Sequence, residues 1–380
     1  MKLHLFLSSM FLIAAGLTSC MKSDAIIMER FTGQIEQIQK ELAPDLSLDV
    51  FQFSINKGEN SWKISGETTV ERAEAAILAM ADSLLGKNNY QTDIHVLPAK
   101  ELGDSTYGIV KVSTANLRRT TAHSAELVDQ NIMGNVVRLL KREGMWYLVQ
   151  TEYQYIGWMA RYSLKRTDQA GLKQWRNAPQ VKVKALWGLV HTKADERSTP
   201  LSDVVLNVPL ILLESGSRWF KVQLPDGNQG YILRDLLDRP SSETSPSISA
   251  TDILATAQSM MGIPYLWGGN STKGNDCSGF TQTVFKRHGM LLPRDARQQV
   301  LIGEEVAWLE DFSNVRPGDL VFFGVNDRIT HVGISMGGYE FIHQDSRVNI
   351  DSFDETAPNF NAFRKKTLKT IKRVINNEVI

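Results

Sequence analysis

The stretch that decides the fold is Asn275-Asp276-Cys277-Ser278-Gly279-Phe280, which is typical of the capped start of an amphipathic helix over residues 277–288. Asp276 is the predicted cap, because an aspartate side chain accepts hydrogen bonds from the free N–H groups of a first helical turn. Cys277 would lie in that turn, where the helix dipole and the N–H groups favour a thiolate and help to form an oxyanion hole. An unperturbed thiol is only slightly ionised at neutral pH, so a histidine partner is expected.

Two histidines follow on a predicted β-hairpin made of three segments: strand Thr330–Ser335, turn Met336-Gly337-Gly338 and strand Tyr339–Gln344. A three-residue loop pairs His331 with His343 and puts both imidazoles on one face of the hairpin. A two-residue loop of the glycines alone shifts the register by one residue and puts the imidazoles on opposite faces. We predict the three-residue loop, with Cys277 as the nucleophile, His331 as its base and His343 orienting that base.

Cys277 is one of two cysteines, and Cys20 has a separate explanation. Residues 1–20 have the layout of a secretory signal that is too short to span a bilayer, and they end in Leu17-Thr18-Ser19-Cys20. This ending resembles a bacterial lipoprotein processing site, which implies lipidation at Cys20 and an exported protein anchored in the cell envelope, facing the periplasm. A plain signal peptide cut near Gly16 is the alternative. With Cys20 acylated, Cys277 is a lone thiol in an oxidising compartment, which favours a catalytic use.

Composition excludes some classes of function. Lys plus Arg and Asp plus Glu both number 42, so the net charge is zero and no nucleic-acid partner is expected. A hydrophobic content of 42% and a charged content of 22% are typical of a soluble globular protein. The sequence has no cysteine cluster and no His-x-x-x-His pair, so we expect neither a metal nor a cofactor. His191 and His288 are interpreted as packing or capping residues, and the oligomeric state stays open.

At 380 residues the chain exceeds one ordinary core, and its patterns divide it into several parts. Residues 24–100 predict a small α/β domain, with Thr68-Thr69 capping its second helix and Gly86 ending it. Two later segments each show a strand, a turn ending in Trp, another strand and then Gly-Trp or Gly-Tyr. This order fits two small antiparallel barrels and resembles bacterial SH3-like modules. The predicted boundaries are 105–166 for the first module, 178–239 for the second, 240–248 for a linker and 249–380 for a C-terminal domain.

The C-terminal domain has its helices first and its strands after them, an α+β layout. Four segments resemble the NlpC-type papain-like cell-wall peptidases: Asp276-Cys277-Ser278-Gly279-Phe280, Arg316-Pro317-Gly318-Asp319-Leu320, His331-Val332-Gly333-Ile334 and Phe341-Ile342-His343. With SH3-like modules in front, the chain is similar to the branch of γ-D-glutamyl-L-diamino acid endopeptidases, also called dipeptidyl-peptidase VI. The resemblance implies a papain-like fold and a cysteine that attacks the γ-D-glutamyl–diamino acid amide of peptidoglycan stem peptides or muropeptides.

The resemblance also implies residues that contact the substrate on the cleft wall or beside the nucleophile: Tyr265, Trp267, Asp276, Ser278 and Asp295. Ala296, next to the last of these, is also implied to contact the substrate, through its backbone, since serine is usual at this position and the chain has no hydroxyl there. In the first module, Glu126 and Tyr155 match a Glu and a Tyr that bind the free amine of an N-terminal L-Ala. A carboxylate is a natural partner for an ammonium. A solvated Glu and a core Tyr are the alternative interpretation.

Two other classes of function share these features. Papain-like amidases and acyltransferases keep Cys277 and His331 but handle another acyl group, and an acyltransferase would transfer it without cleaving a peptide. A non-catalytic peptidoglycan-binding protein would use its SH3-like modules alone. In that case Cys277→Ala would leave every measurable activity unchanged.

Overall fold

The structure is a computed structural model that describes residues 5–59, 61–238 and 248–375, with side chains from residue 24 onward. The predicted signal segment 1–20, including the Cys20 side chain, therefore lies outside the described side chains, and the predicted linker lies outside them apart from Ile248. Contacts divide the chain into two units, Met1–Leu102 and Gly103–Ile380. No helix in the described ranges combines the length and the apolar character that crossing a membrane requires.

The first unit contains two helices and three strands in the predicted order: α1 (Leu5–Leu42), β1 (Phe51–Lys57), β2 (Trp62–Thr68), α2 (Glu71–Leu85) and β3 (Tyr90–Val96). Strand β2 pairs antiparallel with β1 and parallel with β3. Both helices pack on one face of this sheet, where Phe31 and Ile77 are fully buried. The predicted Thr68-Thr69 cap is wrong, because Val70 is the N-cap residue and its N–H donates to the Thr68 hydroxyl at 3.0 Å. Gly86 ends α2 as predicted, with a φ of 81°.

The second unit begins with a seven-stranded antiparallel sheet: β4 (Tyr107–Val110), β5 (Thr114–Arg118), β6 (Leu127–Ile132), β7 (Val136–Glu143), β8 (Trp146–Thr151), β9 (Ile156–Ala160) and β10 (Leu164–Thr167). Its strand order is β10-β4-β7-β8-β9-β5-β6. Helix α3 (Gln169–Asn177) follows and packs Leu172 and Trp175 against Ile109 and Val136. The sequence patterns did not predict this helix.

A second sheet repeats the first: β11 (Gln180–Lys182), β12 (Trp187–His191), β13 (Pro200–Val205), β14 (Pro209–Ser215), β15 (Trp219–Gln223) and β16 (Gln229–Leu233). Its order is β11-β14-β15-β16-β12-β13, which matches β4-β7-β8-β9-β5-β6 of the first sheet. The repeat seen in the sequence is therefore present in the fold. Within the described residues no ladder joins the first and last strands of either sheet, so hydrogen bonds do not close them into barrels.

The C-terminal domain is α+β, as predicted: α4 (Ala250–Ser259), β17 (Asn270–Ser271), β18 (Gly274–Asn275), α5 (Cys277–Arg287), α6 (Ala296–Gln299), β19 (Glu304–Glu305), β20 (Leu320–Val325), β21 (Arg328–Gly337), β22 (Glu340–Gln344), β23 (Val348–Ser352), α7 (Ala362–Thr367) and β24 (Leu368–Arg373). Its main sheet has the order β19-β24-β20-β21-β22-β23. Helix α5 packs Phe280 and Val284 into the same buried cluster as Phe322 and Val332 of the sheet. This packing brings the start of α5 to the strands that carry the histidines.

The register of the β21–β22 hairpin differs from the prediction. Gly333, not His331, pairs with His343, and Gly337 pairs with Glu340 across a two-residue turn. A bulge between Ser335 and Gly337 takes up the extra residue. The predicted three-residue loop is therefore wrong, and the ladder is shifted by two residues. Because the shift is even, His331 and His343 still lie on one face of the sheet, as diagonal neighbours.

Polar contacts tie the second module to the C-terminal domain. Asp203 on β13 pairs with Lys273 at 2.6 Å, and the Asn207 amide donates to the carbonyl oxygen of Thr283 at 3.0 Å. The Lys273 ammonium also donates to Ser113 of the first module at 2.8 Å. Both modules and the C-terminal domain thus belong to one compact unit.

Candidate active site

The nucleophile lies at the start of α5. The Asp276 carboxylate caps the helix, as predicted, and accepts a hydrogen bond from the Gly279 N–H at 2.8 Å. A Cβ at Gly279 would lie 2.1 Å from the carbonyl oxygen of Gly269, so only glycine allows this close packing. Cys277 is 8% exposed, and the backbone N–H groups of Val332 and Ser278 approach its sulfur closely enough to lower its pKa. The contact with Val332 puts the sulfur beside β21, at the residue that follows His331.

A chain of buried polar groups leads away from His331. Its Nε2 lies 2.8 Å from Nδ1 of His343, and Nε2 of His343 lies 3.0 Å from the Asp351 carboxylate. Asn361 and Asn349 both donate to Asp351. The rings of Phe323 and Phe341 pack against the two imidazoles, at centroid distances of 5.6 and 4.9 Å. The two histidines therefore meet as predicted, but the sequence analysis missed the Asp351 carboxylate.

The carboxylate determines which nitrogen of each histidine carries a proton. Asp351 accepts from Nε2 of His343, which leaves Nδ1 of a neutral His343 as an acceptor. His331 then donates its Nε2 proton to His343, and its Nδ1 is left free to accept a proton. Burial would raise the pKa of Asp351, but hydrogen bonds from His343 and Asn361 outweigh it and lower the pKa. Asp351 is therefore ionised at neutral pH, and His331 is arranged as a general base.

Burial keeps both reacting groups neutral in the resting site. It raises the pKa of the Cys277 thiol to about 12, and the neighbouring Asp276 carboxylate adds to the effect. The N–H groups of Val332 and Ser278 and the Arg294 guanidinium oppose this rise without cancelling it. Burial, with the positive charge of Arg364 and the neighbouring His343, lowers the pKa of His331 well below its usual range. The helix N–H groups favour a thiolate as predicted, but burial outweighs them, so Cys277 needs a base to ionise.

Asp276 and Ser278 are engaged inside the protein. Arg294 donates to both oxygens of the Asp276 carboxylate, at 3.0 and 2.7 Å, and to the Ser278 hydroxyl at 3.1 Å. The Ser278 hydroxyl also donates to Asp276 at 3.2 Å. These contacts give both residues a part in holding the helix start. The substrate contact implied by the resemblance stays a prediction for them.

One end of the cleft is shared with the first module. Trp267 is 63% exposed, and its indole N–H donates to the Glu126 carboxylate at 3.0 Å. Arg119 donates to the other oxygen of Glu126 at 2.6 Å. Both hydrogen bonds lower the pKa of Glu126, and the one from Arg119 has the larger effect. Tyr265 forms an isolated parallel bridge with Asn275, two residues before Cys277. Burial, and then the charges of Cys277 and Asp276, raise the pKa of its hydroxyl.

Tyr155 reaches the C-terminal domain from the same module. Its side chain is buried, and its hydroxyl lies 3.5 Å from the carboxylate of Asp295. Asp295 caps α6 through a capping box and pairs with Arg297 at 3.1 Å. Ala296 is 8% exposed in the same apolar cluster as Cys277, so it offers no hydroxyl beside the nucleophile. The predicted residues of both domains therefore meet along one cleft.

The sequence analysis did not predict Asp351 or Arg119 as functional residues. The alternation of residues along β23 could have revealed the Asp351 carboxylate. Strand β23 pairs His343 with Asn349 and Phe341 with Asp351, so the alternating Asn349 and Asp351 face His343. Arg119 carried no pattern of its own. Among the described residues, no group of three or more His, Cys, Asp or Glu side chains is arranged to hold a metal ion.

A buried thiol beside a hydrogen-bonded His–His–Asp series is the arrangement of catalytic groups that a cysteine peptidase uses. The NlpC/P60 family profile matches residues 262–367, and the profile of the bacterial dipeptidyl-peptidase SH3 domain matches residues 117–164. The gamma-D-glutamyl-L-lysine dipeptidyl-peptidase of Bacillus subtilis is 32% identical over 225 residues, which cover 56% of this chain and 71% of the relative. The chain belongs to the NlpC/P60 family of cysteine peptidases, and an SH3 domain of the dipeptidyl-peptidase type precedes its catalytic domain.

Further relatives agree with this assignment. Dipeptidyl-peptidase 6 of Lysinibacillus sphaericus is 29% identical over 260 residues, which cover 66% of this chain and 93% of that protein. The crystal structure of an NlpC/P60 family protein from Bacillus cereus covers 71% of this chain and 99% of its own, with a TM-score of 0.61 and 24% identity. That likeness shows a shared fold across the modules and the catalytic domain.

Substitutions along the proton relay should lower turnover in graded steps. His331→Ala removes the general base and is expected to lower kcat on a peptide substrate by about 100-fold or more. Asp351→Asn leaves the base in place but loosens its tautomer, and a smaller loss than that of His331→Ala is expected. His95→Ala, an exposed histidine of the first unit, is the control and should leave kcat unchanged. A relay variant that matches His95→Ala would contradict the assignment.

The neutral resting pair predicts how the thiol responds to pH. Alkylation of Cys277 by iodoacetamide, followed by mass spectrometry of the Cys277 peptide, should keep accelerating without an inflection as the pH rises past about 8.5. The same peptide in urea-unfolded protein is the control, and its inflection should lie lower, near the ordinary pKa of about 8.5. A rate plateau already reached below neutral pH would instead show a preformed thiolate–imidazolium pair.

Proposed function

We propose that the protein hydrolyses the γ-D-glutamyl–diamino acid amide of peptidoglycan stem peptides that begin with a free L-Ala. The observation that carries the proposal is the cleft shared between the first module and the peptidase domain, where Glu126 contacts Trp267 and Tyr155 approaches Asp295. The relatives named gamma-D-glutamyl-L-lysine dipeptidyl-peptidase support the same bond as the target. Muropeptides released from the wall carry such stem peptides and are the proposed substrates.

The chemistry follows from the relay. The Cys277 sulfur attacks the amide carbonyl as its proton passes to Nδ1 of His331, and a C–S bond forms. His331 returns the proton to the leaving nitrogen as the C–N bond breaks, so the diamino acid departs as an amine. Water then attacks the thioester, again with His331 taking and returning a proton, and the acid product leaves. His343 and Asp351 stabilise the imidazolium that forms in each half of the reaction.

The free amine of the substrate is the second element of the proposal. Glu126 and Asp295 are two carboxylates at the cleft end. The Tyr155 hydroxyl extends from the first module to within 3.5 Å of the Asp295 carboxylate. An ammonium group is a strong donor to carboxylates, and an N-acetyl group has neither the charge nor the donors. A stem peptide with a blocked N-terminus would therefore leave these carboxylates without a substrate partner.

Acetylation of the substrate tests this requirement. We expect L-Ala-γ-D-Glu–diaminopimelate to be cleaved with a kcat/KM about ten- to hundredfold higher than its N-acetylated form, the range for one lost charged hydrogen bond. Glu126→Gln should reduce that preference. Glu152→Gln, at an exposed Glu of the same module that pairs with Arg176, is the matched control and should keep it. Equal cleavage of the two peptides would refute the amine requirement.

The same assay separates hydrolysis from acyl transfer. Hydrolysis releases L-Ala-γ-D-Glu and the free diamino acid, whereas an acyltransferase would attach the acyl group to an added amine or lipid. The relay suits either acceptor, but the cysteine peptidase relatives favour water. Product analysis by mass spectrometry in the presence of an added amine distinguishes the two.

Export and lipid anchoring complete the proposal, on the evidence of the Leu17-Thr18-Ser19-Cys20 sequence. In a bacterial host, the protein should incorporate a labelled fatty acid and sediment with membranes. Cys20→Ala should abolish the label, and Cys277→Ala, the matched cysteine control, should keep it. Equal labelling of wild-type and Cys20→Ala would contradict the anchor.

A further inference from the structure

A guanidinium is buried between two carboxylates that belong to different domains. Arg294 is 1% exposed. Its Nε donates to Asp129 of the first module at 2.5 Å, and its two terminal nitrogens donate to Asp276. A buried charge is stable only where it is fully paired and hydrogen-bonded. The orientation of Arg294 toward the nucleophile helix therefore depends on a residue outside the peptidase domain.

Asp129 is itself fixed on every side. It lies on β6 and is fully buried, it accepts from the Tyr153 hydroxyl, and it accepts from the Asn270 amide at 3.2 Å. Asn131 in turn donates to Tyr153 at 3.0 Å. These hydrogen bonds hold the Asp129 carboxylate in one position, and the carboxylate in turn holds the Arg294 guanidinium.

The other end of the network holds the nucleophile. The Asp276 carboxylate accepts from the Gly279 N–H at 2.8 Å, and so fixes the first turn of α5. It also accepts from the Gly268 N–H at 3.0 Å, and so fixes the segment that follows Trp267. One carboxylate thus orients Cys277 and a wall of the cleft together.

Strand β6 docks directly on that segment. A Cβ at Gly268 would lie 2.2 Å from the carbonyl oxygen of Leu127, so the backbones touch where a side chain would not fit. Further along the strand, Gln130 accepts from the Asn270 N–H at 3.1 Å and from the Ser271 hydroxyl at 3.2 Å. The contact runs along β6 and is not confined to the single ion pair.

We propose that Asp129 is a positioning residue for Cys277 and acts through Arg294 and Asp276. The first module is then a structural part of the catalytic centre, in addition to its place at the end of the cleft. Loss of the Asp129 charge would free Arg294 to shift, and the start of α5 would shift with it. A misplacement of a reacting group by about 1 Å can cost about 100-fold in rate.

The test compares two inter-domain carboxylates in the full-length chain. Asp129→Asn removes the carboxylate charge that pairs with Arg294. Asp203→Asn, the matched control, removes the carboxylate charge that pairs with Lys273, and Lys273 does not contact α5 or Asp276 in any described hydrogen bond. Two readouts are taken: kcat and KM on L-Ala-γ-D-Glu–diaminopimelate, and the pH profile of Cys277 alkylation by iodoacetamide. The alkylation readout needs no substrate, so it stands even if the proposed peptide is not cleaved.

Asp129→Asn is expected to lower kcat about tenfold or more with little change in KM, and to change the alkylation profile. Asp203→Asn should match the wild type in both. If Asp129→Asn does not fold, Tyr153→Phe replaces it, since it keeps the ion pair and removes only the hydroxyl that holds Asp129. An Asp129→Asn or Tyr153→Phe protein whose kcat and alkylation profile coincide with those of Asp203→Asn overturns the proposal.

Discussion

The burial of Arg294 is the constraint on which the catalytic unit depends. A guanidinium at 1% exposure needs carboxylates around it, and the two that serve come from the first module and from the cap of α5. Neither carboxylate can leave without stranding a charge in a dry interior. Arg294 therefore ties the first module to the nucleophile helix, alongside the other contacts of β6, while apolar packing supplies most of the stability.

The polar groups of the proton relay are also paired by hydrogen bonds, His331 with His343 and His343 with Asp351. His331 and His343 are both buried, and burial lowers the pKa of His331, so its imidazolium is disfavoured until chemistry creates one. Asp351 lies further out and stays ionised through its donors. Aromatic rings enclose the pair, with Phe341 stacked on Phe353 at 4.6 Å, and so keep water from the relay. The low polarity that makes the resting thiol unreactive also strengthens every interaction with the charges formed during attack.

Local sequence was sufficient for some features and insufficient for others. The Asp276 cap and the common face of the histidines follow from spacing within a few residues, and the structure agrees. The predicted amphipathic character of α5 is wrong, because every residue from Cys277 to Phe285 is buried. The hairpin register failed because a bulge at Met336 has no sequence signature that the two-residue period can show. The Arg294 network was out of reach in principle, because Arg294 and Asp129 are 165 positions apart in the chain. Such a contact is decided by how domains dock, and no local pattern encodes it.

The charge balance around Glu126 and Asp295 limits how the proposed recognition of an amine could work. Glu126 pairs with Arg119, and Asp295 pairs with Arg297, so the described carboxylates already face cations. These pairs are partly exposed and individually weak, so a substrate ammonium can share or displace them. Recognition of the substrate amine would then depend on the geometry of its hydrogen bonds more than on the net negative charge of the site. The side chain of Tyr155 is buried, so its hydroxyl would be the rigidly held partner. Selectivity of this kind rejects a blocked amine by leaving polar groups unpaired, which is a stronger discriminator than lost attraction alone.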